Sequence, residues 1–283
     1  MSNSVVSENI TVSVTGASGF LGRVVVSRLF DCNYKVIPLT RRNLSGLLHV
    51  DTYYDSPVSD ILIHLAEESD RNVVNTTGNK YLEESLRLVM ALTKRGYKKI
   101  IYASSGVVYG KSSTKPHKID DDVKSYDIYG SAKLACEKVV LETGGIVARF
   151  SNLYGKGMSG KNVFSDILNQ IPGDDPVYVK DDTPVCDFVE ISDGANAVLA
   201  LCDSKVRPGI YNIGSGIGTS IRVLAKTILS TAKQTERSVI SRDVGNSTVC
   251  NILDISESSR RIGWKPEVSL QQGVTKLMSE MSL

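Results

Sequence analysis

The sequence predicts an α/β fold, a doubly wound parallel sheet with a smaller α/β lobe. Short apolar runs rich in β-branched residues alternate with longer amphipathic segments through the first half of the chain, a pattern typical of parallel strands joined by crossover helices. Three evenly spaced glycines follow the first apolar run. The alternation of apolar runs and amphipathic segments becomes less regular after Gly155, where predicted loops become frequent. We therefore expect a first domain over residues 1–155 and a mostly separate lobe over 156–283, with a segment of about residues 186–212 returning to the first domain.

The overall composition indicates a soluble globular protein. The chain has 283 residues, of which 41% are hydrophobic and 23% charged, and its formal net charge is +2. The chain has no long basic run of the kind that would indicate a nucleic-acid or membrane-surface partner. No apolar run approaches the roughly 20 residues that span a bilayer. The polar residues 1–9 lack a signal-peptide core. Five scattered cysteines and three histidines have no metal-ligand spacing, so we expect a cytoplasmic protein without a metal site.

Residues 15–22, with the sequence T-G-A-S-G-F-L-G, form a glycine-rich turn between a predicted strand and a predicted helix. Residues 10–14 are predicted as a buried strand, residues 24–30 as a helix and residues 34–39 as a second strand. A glycine-rich turn within such a strand–helix–strand unit is the fingerprint of a dinucleotide-binding Rossmann fold.

The three glycines of this turn have distinct roles in that fingerprint. Gly16 would make the tight turn, Gly19 would let backbone N–H groups approach the pyrophosphate, and Gly22 would let the helix pack close to the sheet. The positive end of the helix dipole then faces the phosphates. The predicted cofactor-binding residues of the turn are Gly16, Ser18, Gly19, Phe20, Leu21 and Gly22.

Two arginines, Arg41 and Arg42, follow the second predicted strand. A site for NAD usually has an acidic residue there, which binds the ribose 2′-hydroxyl. Arginine instead matches a 2′-phosphate through its charge and its forked donors. We therefore expect NADP(H) in preference to NAD(H); a solvated basic loop is the alternative interpretation of the pair.

Three further predicted strands end in the same crevice. Residues 61–66 form one and include His64, Leu65 and Ala66; residues 99–103 form the next and lead into the serine pair Ser104-Ser105; residues 145–150 form the third. Open α/β sheets bind ligands at the carboxyl ends of their strands. His64 could touch the cofactor at this edge or serve a structural role.

The remaining elements are predicted mainly from periodicity. Helices are predicted over residues 81–94 and 193–202, strands over 184–191 and 209–213, and a final helix before Arg242. The chain contains no internal repeat. The second half therefore has the pattern of a smaller α/β lobe that closes over a substrate.

The predicted helix over residues 127–142 carries Tyr129 and Lys133 four residues apart, so their side chains share one face. A lysine cation close to a tyrosine favours the phenolate form and makes the phenol a more useful acid at neutral pH. For an isolated pair, a solvated helix face is the plainer interpretation.

Eight short motifs occur in order along nearly the whole chain. They are Thr15–Gly22, His64-Leu65-Ala66, Ser104-Ser105 with Tyr109-Gly110, Tyr129-x-x-x-Lys133, Arg149-x-x-Asn152-x-Tyr154-Gly155, Asp187-Phe188-Val189 with Asp193, Tyr211-Asn212-Ile213-Gly214 and Gly263-Trp264-Lys265-Pro266. On these motifs the sequence resembles the extended short-chain dehydrogenase/reductases, the NAD(P)-dependent nucleotide-sugar epimerase/dehydratase family. Each motif alone is modestly specific, but eight in order are highly specific.

The resemblance implies a role for each polar residue of the crevice. Ser105 would hydrogen-bond the sugar oxygen that is oxidised or reduced, Tyr129 would exchange a proton with that oxygen, and Lys133 would hold the nicotinamide ribose and favour the phenolate. The hydride moves between the nicotinamide and the sugar carbon. The other contacts that the resemblance implies are Leu65 and Ala66 on the cofactor and Asn152 and Arg242 on the substrate.

Three features depart from the family pattern. Gly106 and Val107 follow the catalytic serine where the family's 4,6-dehydratases carry Asp-Glu, and neither can transfer a proton, so dehydratase activity is not expected. Cys186 stands where the family often has an arginine that contacts the substrate diphosphate; a thiol cannot replace it, so Arg242 or a lysine supplies the charge, or the substrate is unusual. Tyr81 takes the place of an asparagine beside the nicotinamide.

Three functions fit these residues. The first is NADPH-dependent reduction of a nucleotide-linked 4-keto-6-deoxysugar, favoured by Arg41 and Arg42 and by the short carboxyl-terminal lobe. The second is 4-epimerisation of a nucleotide sugar. The third is non-catalytic sensing of NADP(H), against which the intact Ser105, Tyr129 and Lys133 argue. Since family members commonly pair through two helices per subunit, we expect a homodimer formed through the helix that carries Tyr129 and the helix that precedes the serine strand.

Overall fold

The computed structural model describes residues 10–110, 113, 115–243 and 250–282. The polar segment 1–9, for which no signal peptide is expected, lies outside the described residues. The strands are, in chain order, β1 (Thr11–Thr15), β2 (Lys35–Thr40), β3 (Leu48–His49), β4 (Ile61–His64), β5 (Lys99–Ser105), β6 (Ile146–Phe150), β7 (Asn152–Tyr154), β8 (Val177–Val179), β9 (Val185–Glu190), β10 (Gly209–Ile213), β11 (Gly218–Ser220), β12 (Val239–Ser241) and β13 (Cys250–Asn251). The α-helices are α1 (Phe20–Asp31), α2 (Arg71–Thr77), α3 (Asn79–Thr93), α4 (Ile128–Glu142), α5 (Val163–Leu168), α6 (Ile191–Leu201), α7 (Ile221–Thr231), α8 (Ser256–Ile262) and α9 (Leu270–Met281).

Seven of the described strands form one parallel sheet, called here the main sheet. Its order is β10-β6-β5-β4-β1-β2-β3, and each neighbouring pair runs parallel. The strand order reverses between β1 and β4, because the chain winds outward from β1 in one direction and then returns to build the other half. The predicted doubly wound parallel sheet is therefore confirmed.

Helices cover both faces of the main sheet because successive side chains of its strands point to opposite sides. On β4, Ile63 is fully buried in a cluster that includes Val25 of α1 and Leu201 of α6. Its neighbour Leu62 is buried on the other face with Leu92 of α3. The central strands are consequently rich in buried apolar side chains, as expected when both faces are covered.

A second set of elements, called here the second lobe, comprises α5, α7, α9, β8 and β12. Its core is separate from that of the main sheet and contains Phe164 of α5, Leu224 of α7 and Leu277 of α9. β8 and β12 pair with each other, while β9 pairs with β7, β11 and β13 beside this core. Placing a domain boundary at residue 155 stays a prediction, although β10 does return to the main sheet.

The prediction that the last helix precedes Arg242 is wrong, because α8 and α9 follow it. Helix α9 begins with a capping box in which Ser269 and Gln272 exchange hydrogen bonds between side chain and backbone. This S-x-x-Q pattern before an apolar run is a helix-start signal that could have been found in the sequence. Helix α9 packs its buried residues Val274 and Leu277 into the second lobe.

Candidate active site

The glycine-rich turn connects β1 to α1 at the carboxyl edge of the main sheet. Gly16 has φ +70°, a conformation that glycine adopts at little cost. The N–H of Gly19 donates to the carbonyl oxygen of Gly16 at 2.8 Å. A Cβ on Gly22 would lie 2.1 Å from that oxygen, and a Cβ on Gly16 would lie 2.9 Å from the carbonyl carbon of Leu65. The turn therefore tolerates no side chain at either glycine.

The start of α1 suits a phosphate group. Helix α1 begins at Phe20, and its N-cap residue Gly19 forms no side-chain cap. No acidic residue occupies the first turn of the helix. Backbone N–H groups at the start of a helix bind anions because they lack partners within the helix and lie at the positive end of its dipole. The predicted residues Ser18 and Leu21 flank this helix start, so the chain presents a fitting cradle for a dinucleotide pyrophosphate.

Arg41 and Arg42 follow the end of β2, next to the glycine turn. The hydroxyls of Ser18 and Thr40 lie 2.8 Å apart and tie the turn to this strand end, while the N–H of Arg42 donates to the Thr40 hydroxyl at 3.1 Å. The Arg41 guanidinium lies 5.5 Å from the centre of the Tyr53 ring. Both arginines are exposed, so their donors can face a ligand at the glycine turn.

His64 takes the structural role rather than a role at the cofactor. Its Nδ1 lies 2.8 Å from the hydroxyl of Thr15, and its ring is buried. Burial lowers the pKa of His64 to about 4, so the ring is neutral near pH 7. The N–H of the next residue, Leu65, donates to the backbone oxygen of Thr15 at 3.3 Å, which brings Leu65 and Ala66 against the glycine turn.

Tyr129 and Lys133 lie on one face of α4, as predicted. The carboxylate of Asp127 caps this helix by accepting from the N–H of Gly130 at 2.9 Å. Lys133 Nζ lies 5.7 Å from the centre of the Tyr129 ring and donates to the backbone oxygen of Ala103 at 2.8 Å. Since Ala103 is on β5, the helix face is fixed against the strand that ends in Ser105.

Ser105 ends β5 and begins the short 3-10 helix Gly106–Tyr109. Its hydroxyl accepts from the N–H of Val107 at 3.3 Å, and the side chain is half-buried. The predicted catalytic residues are thus brought to one edge of the sheet, Ser105 from a strand end and Tyr129 with Lys133 from α4.

A buried polar network lies behind Ser105 and fixes the strand that carries it. The hydroxyl of Ser104 donates to Glu137 of α4, and Arg149 of β6 bonds the same carboxylate, with Nη2 at 2.7 Å. The hydroxyl of Tyr109 then donates to Asn212 of β10 at 2.8 Å. This network joins β5, α4, β6 and β10, so it ties together the elements that carry the predicted catalytic residues.

Two charged residues beside Tyr129 were missed in the sequence. Glu67 follows the motif His64-Leu65-Ala66, and its Oε2 lies 2.5 Å from Nζ of Lys133. Arg71, at the start of α2, places its guanidinium 5.9 Å from the centre of the Tyr129 ring and pairs with Asp127. A carboxylate directly after a strand that ends in the cofactor crevice was the available signal for Glu67.

Glu67 controls the ionisation of Lys133. Burial alone would lower the pKa of Lys133, but the adjoining Glu67 carboxylate and the Tyr129 phenol together raise it above its usual value. Lys133 is therefore a cation near pH 7. Tyr81, on α3, accepts a hydrogen bond from the N–H of Glu68 at 3.1 Å, and burial raises the pKa of Tyr81 to about 12, so it stays protonated.

A cleft of about 880 Å³ opens beside the second lobe. Arg242 lines it, with its guanidinium 5.3 Å from the centre of the Tyr178 ring and its N–H donating to the oxygen of Val179 at 2.9 Å. Lys161 and Lys180 also line the cleft. Three acidic residues, Asp166, Asp181 and Asp243, line the cleft as well, so its three cations are balanced by three carboxylates.

The other predicted substrate residue, Asn152, lies outside the lining of this cleft. It is exposed on β7, and its Nδ2 donates to the backbone oxygen of Asp187 at 3.0 Å. Cys186 is half-buried on β9, and burial raises the pKa of its thiol to about 11. Cys186 is therefore neutral near pH 7 and contributes no charge to the cleft.

Neither a cluster of metal ligands nor a membrane-spanning helix occurs within residues 10–110, 113, 115–243 and 250–282. No cluster of three or more potential metal ligands of the His, Cys, Asp or Glu type comes together there. None of the helices in that part of the chain combines the length and apolar character needed to cross a bilayer.

Comparisons with known proteins agree with this geometry. The chain is 28% identical to the dTDP-4-dehydro-6-deoxyglucose reductase of Escherichia coli, over 95% of this chain and 97% of that protein. It is also 28% identical to the GDP-6-deoxy-D-mannose reductase of Pseudomonas aeruginosa, over 94% of this chain and 95% of that protein. A putative UDP-glucose 4-epimerase of Methanocaldococcus jannaschii is 27% identical over 95% of this chain and 98% of that protein.

Solved structures share the fold over nearly the whole chain. The UDP-glucose 4-epimerase of Thermotoga maritima with UDP-glucose has a TM-score of 0.84 at 23% identity, covering 96% of this chain and 99% of that one. The structure of RMD from Pseudomonas aeruginosa complexed with NADPH has a TM-score of 0.82 at 24% identity, covering 96% and 98%. The family model described as "NAD dependent epimerase/dehydratase family" matches residues 12–214. The chain therefore belongs to the NAD-dependent epimerase/dehydratase family.

Proposed function

We propose that this protein is an NADPH-dependent reductase of a nucleotide-linked 4-keto-6-deoxysugar. The observation that carries the proposal is the position of Tyr129, which shares a helix face with the cationic Lys133 at the strand end that holds Ser105. Gly106 and Val107, which follow Ser105, have no proton-transfer group. Such a site suits the reduction of a ketone better than the elimination of water.

The residues of this chain would perform the proton transfer. A bound nicotinamide supplies the hydride, which is the chemistry of the cofactor. Ser105 donates a hydrogen bond to the carbonyl oxygen of the sugar and polarises it. Tyr129 gives its proton to the same oxygen as that oxygen gains negative charge, and the nearby ammonium of Lys133 stabilises the phenolate that is left.

The preference for NADP(H) is inferred from Arg41 and Arg42. Both are exposed at the end of β2, where an acidic residue would favour NAD. Two guanidinium groups can share a 2′-phosphate through charge-assisted hydrogen bonds. Among proteins of this fold, the Pseudomonas RMD structure holds NADPH, whereas the MoeE5 structure holds NAD. We therefore base the assignment of NADP(H) on the two arginines.

The substrate assignment depends on the cleft that Arg242 lines. The diphosphate of a nucleotide sugar needs positive charge, and the neutral Cys186 cannot supply it. Arg242, Lys161 and Lys180 share the cleft with three carboxylates and are the groups there that can bind a diphosphate. We place the diphosphate at these three cations, and we keep Asn152 as a contact with the sugar.

The test is to incubate purified protein with NADPH and either dTDP- or GDP-linked 4-keto-6-deoxysugar. We expect the absorbance of NADPH to fall and the product to carry a hydroxyl at C4. NADH should be consumed more slowly at equal concentration. A preparation that carries tightly bound NAD and leaves NADPH unconsumed with both substrates would contradict the proposal.

The second candidate is a nucleotide-sugar 4-epimerase. It is favoured by the similarity to the putative UDP-glucose 4-epimerase of Methanocaldococcus jannaschii and by the fact that the same Tyr129 and Lys133 could act in both directions. Interconversion of UDP-glucose and UDP-galactose without net cofactor consumption would identify this activity. A third, remote candidate is a non-catalytic NADP(H)-binding protein, which would bind NADPH and turn over neither class of substrate.

The homodimer stays a proposal. Helices α3 and α4 pack side by side, and Val89 of α3 is buried against Cys136 and Val140 of α4. Part of the predicted pairing face of α3 therefore covers the protein's own sheet. Met90 remains 40% exposed on α3. Light scattering at micromolar concentration should give twice the mass of the chain; a monomer there would contradict the dimer.

A further inference from the structure

Glu67 is a buried carboxylate that the mechanism above does not use. Its side chain is 8% exposed, and that of its partner Lys133 is 7% exposed. Nζ of Lys133 lies 2.5 Å from Oε2, and the hydroxyl of Tyr102 lies 2.9 Å from both carboxylate oxygens. Burial holds the pKa of Tyr102 well above its usual value, so its hydroxyl donates to Glu67 and fixes the carboxylate in place.

Two ion pairs each place a cation near the Tyr129 ring. One is the buried pair Lys133–Glu67, and the other is the partly exposed pair Arg71–Asp127, in which the Arg71 side chain is 48% exposed. The two cationic groups lie 5.7 and 5.9 Å from the centre of the Tyr129 ring. Solvent and salt screen exposed charges strongly but buried ones weakly. Of the two pairs, the charges of Lys133 and Glu67 are therefore the ones that solvent screens least.

His64 and Cys136, which lie near the buried pair, are neutral near pH 7. Burial lowers the pKa of His64 to about 4 and raises that of Cys136 to about 12. The groups that surround Tyr129 and the buried pair are Lys133 on α4, Arg71 on α2, Asp127 before α4, Tyr81 on α3, Glu67 after β4, Tyr102 on β5, His64 on β4 and Cys136 on α4. Glu67 is thus the buried negative charge that faces Lys133.

A lone ammonium next to a phenol favours the phenolate, and a carboxylate next to that ammonium opposes the effect. A reductase needs the protonated phenol, because the phenol gives its proton to the product oxygen. We propose that Glu67 is a positioning residue that offsets the charge of Lys133 and so keeps Tyr129 protonated for reduction. This inference rests on the proposed function only for the direction of the reaction, because reduction needs a protonated phenol. The effect of Glu67 on the ionisation of Tyr129 does not depend on the proposed function.

The test measures the ionisation of Tyr129 directly. The tyrosinate absorbance of the chain is titrated against pH, and subtracting the titration of Tyr129→Phe isolates this phenol among the 12 tyrosines. The same difference is measured in Glu67→Gln. Removing the buried negative charge that pairs with Lys133 should lower the midpoint by about half a pH unit or more. An unchanged or higher midpoint would overturn the proposal.

Glu68→Gln is the matched control, because Glu68 is the adjacent carboxylate but is exposed. It should leave the midpoint in place, since solvent screens its charge. A shift as large as that of Glu67→Gln would mean that only net charge matters and would contradict a specific role for Glu67. Tyr102→Phe keeps the charge and removes one hydrogen bond, so it should shift the midpoint far less than Glu67→Gln.

Glu67→Gln leaves Lys133 buried without its partner, which is destabilising. If that variant does not fold, the double variant Glu67→Gln/Lys133→Met decides the matter. Because the two charges offset each other, its midpoint should stay within about half a pH unit of wild type. A midpoint a full unit higher would show that the pair acts as a net cation and would refute the offset.

The activity arm separates this inference from the proposed function. In ketosugar reduction, kcat falls as rising pH ionises the phenol, and in Glu67→Gln this fall should begin at a lower pH than in wild type. A merely structural defect would lower kcat equally at every pH. If no ketosugar is reduced, the proposed function fails while the phenol titration still supports or refutes the role of Glu67.

Discussion

Lys161 and Asp70 form an ion pair, with Nζ of the lysine 3.2 Å from Oδ2 of the carboxylate, and this pair joins the cleft lined by Arg242 to α2. Asp70 is also the N-cap of α2, where its side chain accepts from the N–H groups of Asn72 and Val73. Helix α2 begins with Arg71, which lies against Tyr129. A ligand that engages Lys161 would therefore be linked through Asp70 to α2, whose first residue lies against Tyr129.

Lys161→Ala should raise KM for the nucleotide sugar roughly tenfold and change kcat little, because one charge-assisted contact with the diphosphate is lost. The melting temperature should hardly move, since Lys161 is largely exposed and exposed ion pairs contribute little. Steady-state kinetics with varied sugar concentration check this. Lys138→Ala, which removes an equally exposed lysine on α4, is the control and should leave KM unchanged.

Tyr129→Phe should lower kcat by about 10²–10⁴-fold, the usual contribution of a positioned acid–base group. NADPH binding, followed by fluorescence titration, should stay within a few-fold of wild type, because the ring and its packing remain. Tyr126→Phe provides the control, since Tyr126 is 56% exposed shortly before the same helix. Full activity in Tyr129→Phe would rule out Tyr129 as the proton donor.

Removing the two arginines after β2 should weaken the preference for NADPH over NADH. In Arg41→Ala/Arg42→Ala, the Kd of NADPH should rise at least roughly tenfold through loss of contacts to the 2′-phosphate, while the Kd of NADH should change little. Titration of both cofactors checks this. Arg28→Ala removes an exposed arginine of α1 that pairs with Asp31 and should affect neither. An equal loss for both cofactors would indicate a structural role for the arginines instead.

Gly22→Ala should abolish cofactor binding and cost about 2 kcal/mol in the free energy of unfolding. The new Cβ would lie 2.1 Å from the carbonyl oxygen of Gly16, and the backbone of the turn must move to relieve that overlap. Urea unfolding and NADPH titration measure the two effects. Gly173→Ala is matched, because its Cβ would lie 3.7 Å from the nearest heavy atom, and it should behave as wild type.

The stability of the protein should fall on mild acidification because His64 resists protonation. Burial lowers the pKa of His64 to about 4, against about 6.5 in an unfolded chain. Between these values the unfolded state binds the extra proton, so the stabilisation is present above pH 6.5 and is lost as the pH falls towards 4. From pH 7 to pH 5 the loss attributable to His64 should be about 2 kcal/mol.

His64→Gln keeps a hydrogen-bonding partner for the Thr15 hydroxyl and removes the titration, so its unfolding free energy should depend less on pH over that range. The free energy of unfolding is measured by urea denaturation at pH 7 and pH 5. His49→Gln removes an exposed histidine and should retain the slope of wild type. Equal slopes in wild type and His64→Gln would show that His64 is not the group responsible.

Local patterns allowed much of the site to be predicted. The glycine turn and its flanking strand and helix follow from short-range periodicity, and Tyr129 and Lys133 share a face because helical geometry fixes residues four apart. The strand-end position of Ser105 follows in the same way. These features depend on neighbours in sequence, so a single sequence contains them.

Contacts between distant residues could not be predicted in this way. Glu67 and Lys133 are far apart in sequence, and their ion pair depends on how β4 and α4 are placed against each other. The choice between a cofactor and a core role for His64 depended on the Thr15 hydroxyl, which only the register of β1 and β4 brings within reach. Helix α9 was missed because its apolar residues serve the second lobe, whose core is assembled from separated segments.

The place of β10 in the main sheet has a consequence for how the chain is made. Synthesis runs from the amino terminus, so β6 emerges from the ribosome with one edge unpaired until residues 209–213 have followed. Ile146, Val147 and Ala148 on that strand are fully apolar and end up buried. An exposed apolar strand edge is a site of aggregation. A nascent chain of this protein therefore needs protection during that interval, and a fragment ending near residue 155 should precipitate when expressed alone.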